Sequence, residues 1–123
     1  MDLTGKWKYK ENYGYGMAEG EVSLEQEGNR LAGRIVFMDK TEDDEVSMIQ
    51  EFLVGEVEDR KVKLQAEDFD VIHADYRIDY KLDSWFGILV DEQTIKGVSV
   101  DYQGIEGSFI FKRIADKNGS EKA

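Results

Sequence analysis

Ala18-Glu19-Gly20-Glu21-Val22-Ser23-Leu24-Glu25 alternates, position by position, between a small or apolar residue and a polar one. A period of two puts alternate side chains on opposite faces of an extended chain, so this stretch reads as a strand with one buried and one wet face. The pattern continues on both sides. Leu3, Gly5, Trp7 and Tyr9 face one way while Lys6, Lys8 and Lys10 face the other; Leu31, Gly33, Ile35 and Phe37 form the next inward row, with Arg30 and Arg34 outside. Between the second and third rows, Gly28-Asn29 tolerates positive φ and predicts a tight hairpin.

Further along, Asp39 to Glu45 reads as an acidic loop. Val46 to Glu58 is a strand of mixed phase, because Met48, Phe52 and Val54 compete with Ile49 and Leu53 for the inner face. After a turn at Glu58-Asp59-Arg60, Val62, Leu64 and Ala66 alternate with Lys61, Lys63 and Gln65. The phase breaks from Glu67 to Ala74, which predicts a turn or a bulge. Tyr76, Ile78, Tyr80 and Leu82 alternate with charged residues and predict a sixth strand, whereas Ser84 to Val90 fits a strand end, a loop or a short helical turn. Thr94 to Asp101 and Gly107 to Ile114 form a last hairpin. Gly20, Gly33, Gly55, Gly97 and Gly107 interrupt these strands, as suits a strongly coiled sheet.

Sequential hairpins with one apolar face close into a ring that leaves no exposed edge. The expected fold is therefore all-β: an eight-stranded antiparallel up-and-down β-barrel, with a two-layer sandwich as the alternative. It forms one domain over residues 1–115, followed by a polar, frayed tail over 116–123.

Lysine and arginine number 16 against 27 aspartates and glutamates, a formal charge of −11 that repels nucleic acid and anionic membrane. Without cysteine there is no disulfide, thiolate metal site or cysteine nucleophile. No apolar run is long enough to span a bilayer as a helix. Met1-Asp2-Leu3-Thr4 runs directly into a strand, so the sequence as written is expected in the cytoplasm, or exported if a leader has been removed.

Gly5-Lys6-Trp7 in the first strand resembles the Gly-x-Trp motif of the calycin superfamily, which includes lipocalins, avidins and fatty-acid-binding proteins. The resemblance implies that Trp7 plugs one end of a lipocalin-like or avidin-like barrel, with Arg113 (or Lys112) at the end of the last strand packed across its ring. The short turn at Asn12 to Gly16 leaves no room for the helices of fatty-acid-binding proteins, and no lipocalin-type C-terminal helix follows. Tyr9 and Tyr13-Gly14-Tyr15 stand where avidins carry Asn and a Gly-Ser turn, which disfavours biotin.

The residues that could line a pocket are Tyr9, Tyr15, Phe37, Tyr76, Tyr80 and Trp85, with Ser99 and Asp101 as inward polar groups. The expected function is non-catalytic binding of a small apolar or aromatic ligand, with no cofactor and no bound metal. A small barrel enzyme of isomerase or hydrolase type is one alternative, using Asp101, a tyrosine or His73, which could also serve as an axial haem ligand; a loop or surface position suits this lone histidine better. Glu42-Asp43-Asp44-Glu45 lacks the spacing of a calcium loop and reads as a solvated loop. Val36, Met38, Val98, Val100 and Ile110 on the outward rows suggest a homodimer or higher oligomer through the wall, and a structural or oligomerising interaction module with a packed barrel is the other alternative function.

Overall fold

The alternating segments form eight strands: β1 (Gly5–Asn12), β2 (Gly16–Glu27), β3 (Arg30–Thr41), β4 (Val46–Glu58), β5 (Lys61–Ala74), β6 (Asp83–Asp91), β7 (Thr94–Asp101) and β8 (Glu106–Arg113). The structure is a computed structural model and describes residues 2–14, 16–41, 46–74, 82–101, 104 and 106–114. Each strand pairs antiparallel with the next, and β8 pairs back onto β1, closing the barrel. Closure satisfies the backbone donors and acceptors that a sheet edge would expose.

The register is strongly staggered. Traced across the ladders from Tyr9, partners run through Gly20, Phe37 and Ile49 to Val71, near the end of β5. Traced the other way they run through Phe111, Ile95 and Leu89 to Arg60, just before β5 begins. Such a shear tilts the strands against the barrel axis and sets the bore to about that of a single small molecule or a layer of side chains.

Tight bending needs backbones to approach closely. A Cβ on Gly20 would lie 1.9 Å from the Val36 carbonyl oxygen, and one on Gly97 would lie 1.9 Å from that of Phe86. Neither position admits a side chain in this geometry.

The inner face carries a continuous core that includes Leu3, Trp7, Tyr9, Val22, Leu24, Leu31, Ile35, Phe37, Ile49, Leu53, Leu64, Trp85, Leu89, Ile95, Phe109 and Phe111. β4 resolves its mixed pattern by burying Ser47, Ile49, Glu51, Leu53 and Val57, and by turning Met48 and Phe52 outward. The phase break in β5 is a pair of bulges. Phe52 pairs with Asp68 but Leu53 with Ala66, leaving Glu67 extra; Met48 pairs with His73 but Ile49 with Val71, leaving Ile72 extra.

Two expectations need correction. Asp83–Asp91 forms β6, so Ser84 to Val90 is neither loop nor helical turn, while the strand expected over Tyr76 to Leu82 lies, up to residue 81, outside the described residues. Trp85-Phe86-Gly87-Ile88-Leu89 is apolar at every position because its outward side chains lie on the barrel wall, which hides the period in the sequence. Second, β3 extends to Thr41, so Asp39 belongs to a strand and not to the acidic loop. Residues 42–45, 75–81 and 115–123, with Tyr15 and Tyr102, lie outside the described residues, and so do the expectations placed on them.

At the end where β1 begins, Trp7 is fully buried and donates its indole N–H to the Leu3 carbonyl oxygen at 3.1 Å. Arg113, its cross-strand partner, lies over the indole with the guanidinium carbon 4.3 Å from the ring centroid. The same guanidinium donates to the carbonyls of Thr4, Asp2 and Glu92 at 3.2, 3.0 and 3.2 Å. Those bonds tie the N-terminal segment and the β6–β7 turn to the end of β8. Gly5 takes φ +138°, which brings the chain into this arrangement and favours glycine over any L side chain.

Candidate functional site

Beyond that closed end, inward positions change in character along each strand. Tyr9 on β1 stands at the centre of an aromatic layer, edge-on to Phe37 at 5.9 Å, Phe111 at 5.6 Å and Trp85 at 6.5 Å between ring centroids. Phe109 packs on Phe111 at 5.0 Å. Aromatic edges meeting faces are mutually favourable, and the layer spans the bore as a floor.

Above this floor, at the end where β1, β3, β5 and β7 finish, the inward rows turn acidic. On β1 the row Trp7, Tyr9 ends in Glu11; on β3 the row Ile35, Phe37 ends in Asp39. β4 contributes Glu51, with 0% of its surface exposed, and Ser47. β6 begins with Asp83 two residues before Trp85, and β7 ends with Asp101 two residues after Ser99, all half-buried or buried. Glu51 is level with Trp7 in the register, but strand tilt lifts it toward the acidic end, since the ladders climb that way from β1 to β5.

The chemistry of the layer is specific. The Tyr9 hydroxyl donates to the Glu11 carboxylate, while burial and the adjacent Glu11 charge push the Tyr9 pKa well above its ordinary value, keeping the phenol protonated. Burial raises the Glu11 pKa above the usual carboxylate range; bonds from Tyr9 and Ser99 and the nearby Trp85 N–H partly counter this, and Asp39 adds like-charge repulsion. Burial likewise raises Asp39, partly offset by the Tyr13 hydroxyl that donates to it. The Trp85 indole nitrogen is buried beside Glu11 and Tyr9, yet it has no hydrogen bond of good geometry. The buried Ser47 hydroxyl, directly across the β3–β4 ladder from Asp39, also makes none.

Of the residues singled out from sequence, Tyr9, Phe37, Trp85, Ser99 and Asp101 point into this end together. Tyr15, Tyr76 and Tyr80 fall outside the described residues. His73 is exposed on the outer part of β5 and does not join the group. Among the described residues, no three of His, Asp and Glu come close enough to hold one metal ion. Sequence reasoning misses Glu11, Asp39, Glu51 and Asp83. Extending the inward rows by one more alternate residue, past Tyr9 and Phe37, finds the first two.

The outer wall carries its own apolar feature. Phe86, Ile88, Val90 and Val98 are each about half exposed. A shallow groove of about 570 Å³ runs between Phe86, Ile88 and Val98, bordered by Lys61, Lys96 and Glu58.

No family model matches the chain, and no curated protein matches its sequence. Solved structures do match its shape. A redesigned β-barrel, mFAP1, bound to DFHBI, superposes with a TM-score of 0.65 at 11% identity, covering 90% of this chain and 94% of that one. A second redesigned barrel, mFAP0, also bound to DFHBI, gives 0.61 at 12% identity over 90% and 98%. A fluorescence-activating β-barrel designed de novo gives 0.56 at 14% over 91% and 94%. At such identities the likeness is one of fold, a small closed β-barrel.

Proposed function

We propose that this protein is a non-catalytic binding barrel that holds a small aromatic ligand at the end away from Trp7, against the layer of Tyr9, Phe37, Trp85 and Phe111. The observation that carries the reading is the split interior, with an aliphatic and aromatic lower half and an upper half ending in polar groups. A barrel that only had to be stable would gain more from apolar side chains throughout. The presence of DFHBI, a small aromatic dye, on two barrels of this shape adds support.

Proton–carbon NMR spectra of the aromatic side chains, recorded during titration with DFHBI and with 4-ethylphenol, test the reading. Saturable shifts of Tyr9, Phe37 and Trp85 are expected. Shifts confined to Phe86 on the outer wall, or none for either probe, would refute it. The exposed Phe86, Ile88, Val90 and Val98 patch favours a second, compatible proposal: two copies associate through this wall, where Lys61 and Lys96 of one can meet Glu56 and Glu58 of the other. Light scattering should then show a dimer that Phe86→Glu dissociates; a monomer at all concentrations removes the idea.

A further inference from the structure

We propose that the ligand of this site is an organic cation, a small aromatic molecule that carries a protonated amine. The inference rests on reading the far end as a ligand site and adds the charge of what it takes.

Five inward carboxylates, on Glu11, Asp39, Glu51, Asp83 and Asp101, stand over the aromatic layer. Among the described residues no lysine, arginine or histidine shares the inward rows of Glu11 and Asp39: Lys10 and Lys40 are exposed on the outward rows of the same strands. A negative potential among poorly solvated groups attracts a cation strongly, and the faces of Tyr and Trp rings add to that attraction. The desolvated Glu11 and Asp39 hold raised pKa values, so a positive group brought beside them relieves a cost already present in the fold.

A bare metal ion does not suit the arrangement, since the described carboxylates ring the bore without any three converging on one point. A molecule with a spread of atoms does. Two buried polar atoms without hydrogen bonds sharpen the choice. The Ser47 hydroxyl beside Asp39 can accept from an ammonium, and the Trp85 indole N–H beside Glu11 can donate to an acceptor on the ring. Together they describe an arylalkylamine whose ring bears a hydroxyl or similar acceptor, with its ring toward Trp85 and its amine toward Asp39 and Ser47.

Isothermal titration calorimetry of the full chain separates the possibilities with three probes of one shape: tyramine, neutral 4-ethylphenol and anionic 3-(4-hydroxyphenyl)propionate. Tyramine is expected to bind at least about tenfold more tightly than 4-ethylphenol, and the propionate most weakly. Asp39→Asn, nearly isosteric, should weaken tyramine about fivefold more than it weakens 4-ethylphenol. Residual 4-ethylphenol binding reports that the variant is folded. Equal affinities for tyramine and 4-ethylphenol, or tightest binding of the propionate, would overturn the cationic ligand while leaving an aromatic-binding barrel. Failure of all three to bind would overturn both readings.

Discussion

Replacing Arg113 by Met keeps the aliphatic stem over Trp7 and removes the charge and its five donors, so it isolates what the guanidinium contributes to closing the barrel. Three of its bonds reach carbonyls of Thr4, Asp2 and Glu92. Water can replace them at this exposed rim, so each contributes about 0.5 kcal/mol, near the low end for hydrogen bonds. The stacked geometry at 4.3 Å over a fully buried indole adds about 1 kcal/mol. The sum is about 2.5 kcal/mol, a Tm lower by about 10 °C for a domain of this size. Urea unfolding followed by the fluorescence of buried Trp85 measures it. Repeating the measurement with Trp7→Phe, alone and combined, completes a double-mutant cycle in which the loss of indole volume cancels. A coupling of about 1 kcal/mol is expected; a coupling within about 0.3 kcal/mol of zero would show that Arg113 merely lies near Trp7 and that the plug is a packing feature alone.

Gly20→Ala should cost more than about 3 kcal/mol or prevent folding, because its Cβ would collide with the Val36 carbonyl, whereas Glu21→Ala beside it should stay within about 0.5 kcal/mol; thermal melts compare them. Stability should fall as pH rises above about 4, since Glu11 and Asp39 are raised above their ordinary values of 4.5 and 3.8. Carboxylates with raised folded pKa values contribute most stability when protonated in both states, and the benefit is lost as pH passes upward through the folded values. Glu11→Gln should flatten that slope in urea titrations across the window, and an unchanged slope would count against burial as the cause. Asp2 and Asp91, held low by hydrogen bonds from Thr4 and Gln93 respectively, act in the opposite sense only below about pH 4. Tyr9→Phe should cost about 1–3 kcal/mol at pH 7, and less in acid, because it strips a donor from a buried carboxylate that acid neutralises. A pH-independent loss would mean that the hydroxyl acts through something other than the Glu11 charge.

The barrel is legible in the sequence because one face of nearly every strand has to be dry and the other wet. Val62, Leu64 and Ala66 against Lys61, Lys63 and Gln65 leave no other reading, and β5 begins where they predict. The period fails where that contrast fails. β6 presents Phe86, Ile88 and Val90 to the outside, so its two faces are chemically alike and the alternation leaves Ser84 to Val90 open between strand, loop and helical turn. β4 fails in the reverse sense: Glu51 faces inward between Ile49 and Leu53, and an inward carboxylate looks like an outward one to any rule based on polarity. The acidic end of the site is hidden for the same reason. Glu11 and Asp39 read as marks of chain leaving the core, although they continue its inner rows.

That confusion has a physical origin that bears on what the barrel is for. A folded chain gains nothing in stability from a carboxylate taken out of water without a full set of partners, and the raised pKa values of Glu11 and Asp39 register the resulting strain on their charge. Leu24, Leu31, Val57, Val62, Leu89 and Ile95 show that this sequence can fill inward positions with aliphatic side chains. At the other end it instead places acids, and fixes two of them with hydroxyls that donate from Tyr9 and Tyr13. Fixing a charge before a ligand arrives lowers the ordering cost of binding, which is what a recognition site requires and a structural core does not. On the proposed reading the two ends answer to different demands. Substituting Glu11 and Asp39 by Gln and Asn should therefore raise stability at neutral pH while weakening tyramine, two effects of opposite sign from the same atoms. A variant that lost both stability and affinity would show that the carboxylates serve the fold, and the case for a cationic ligand would lose its footing.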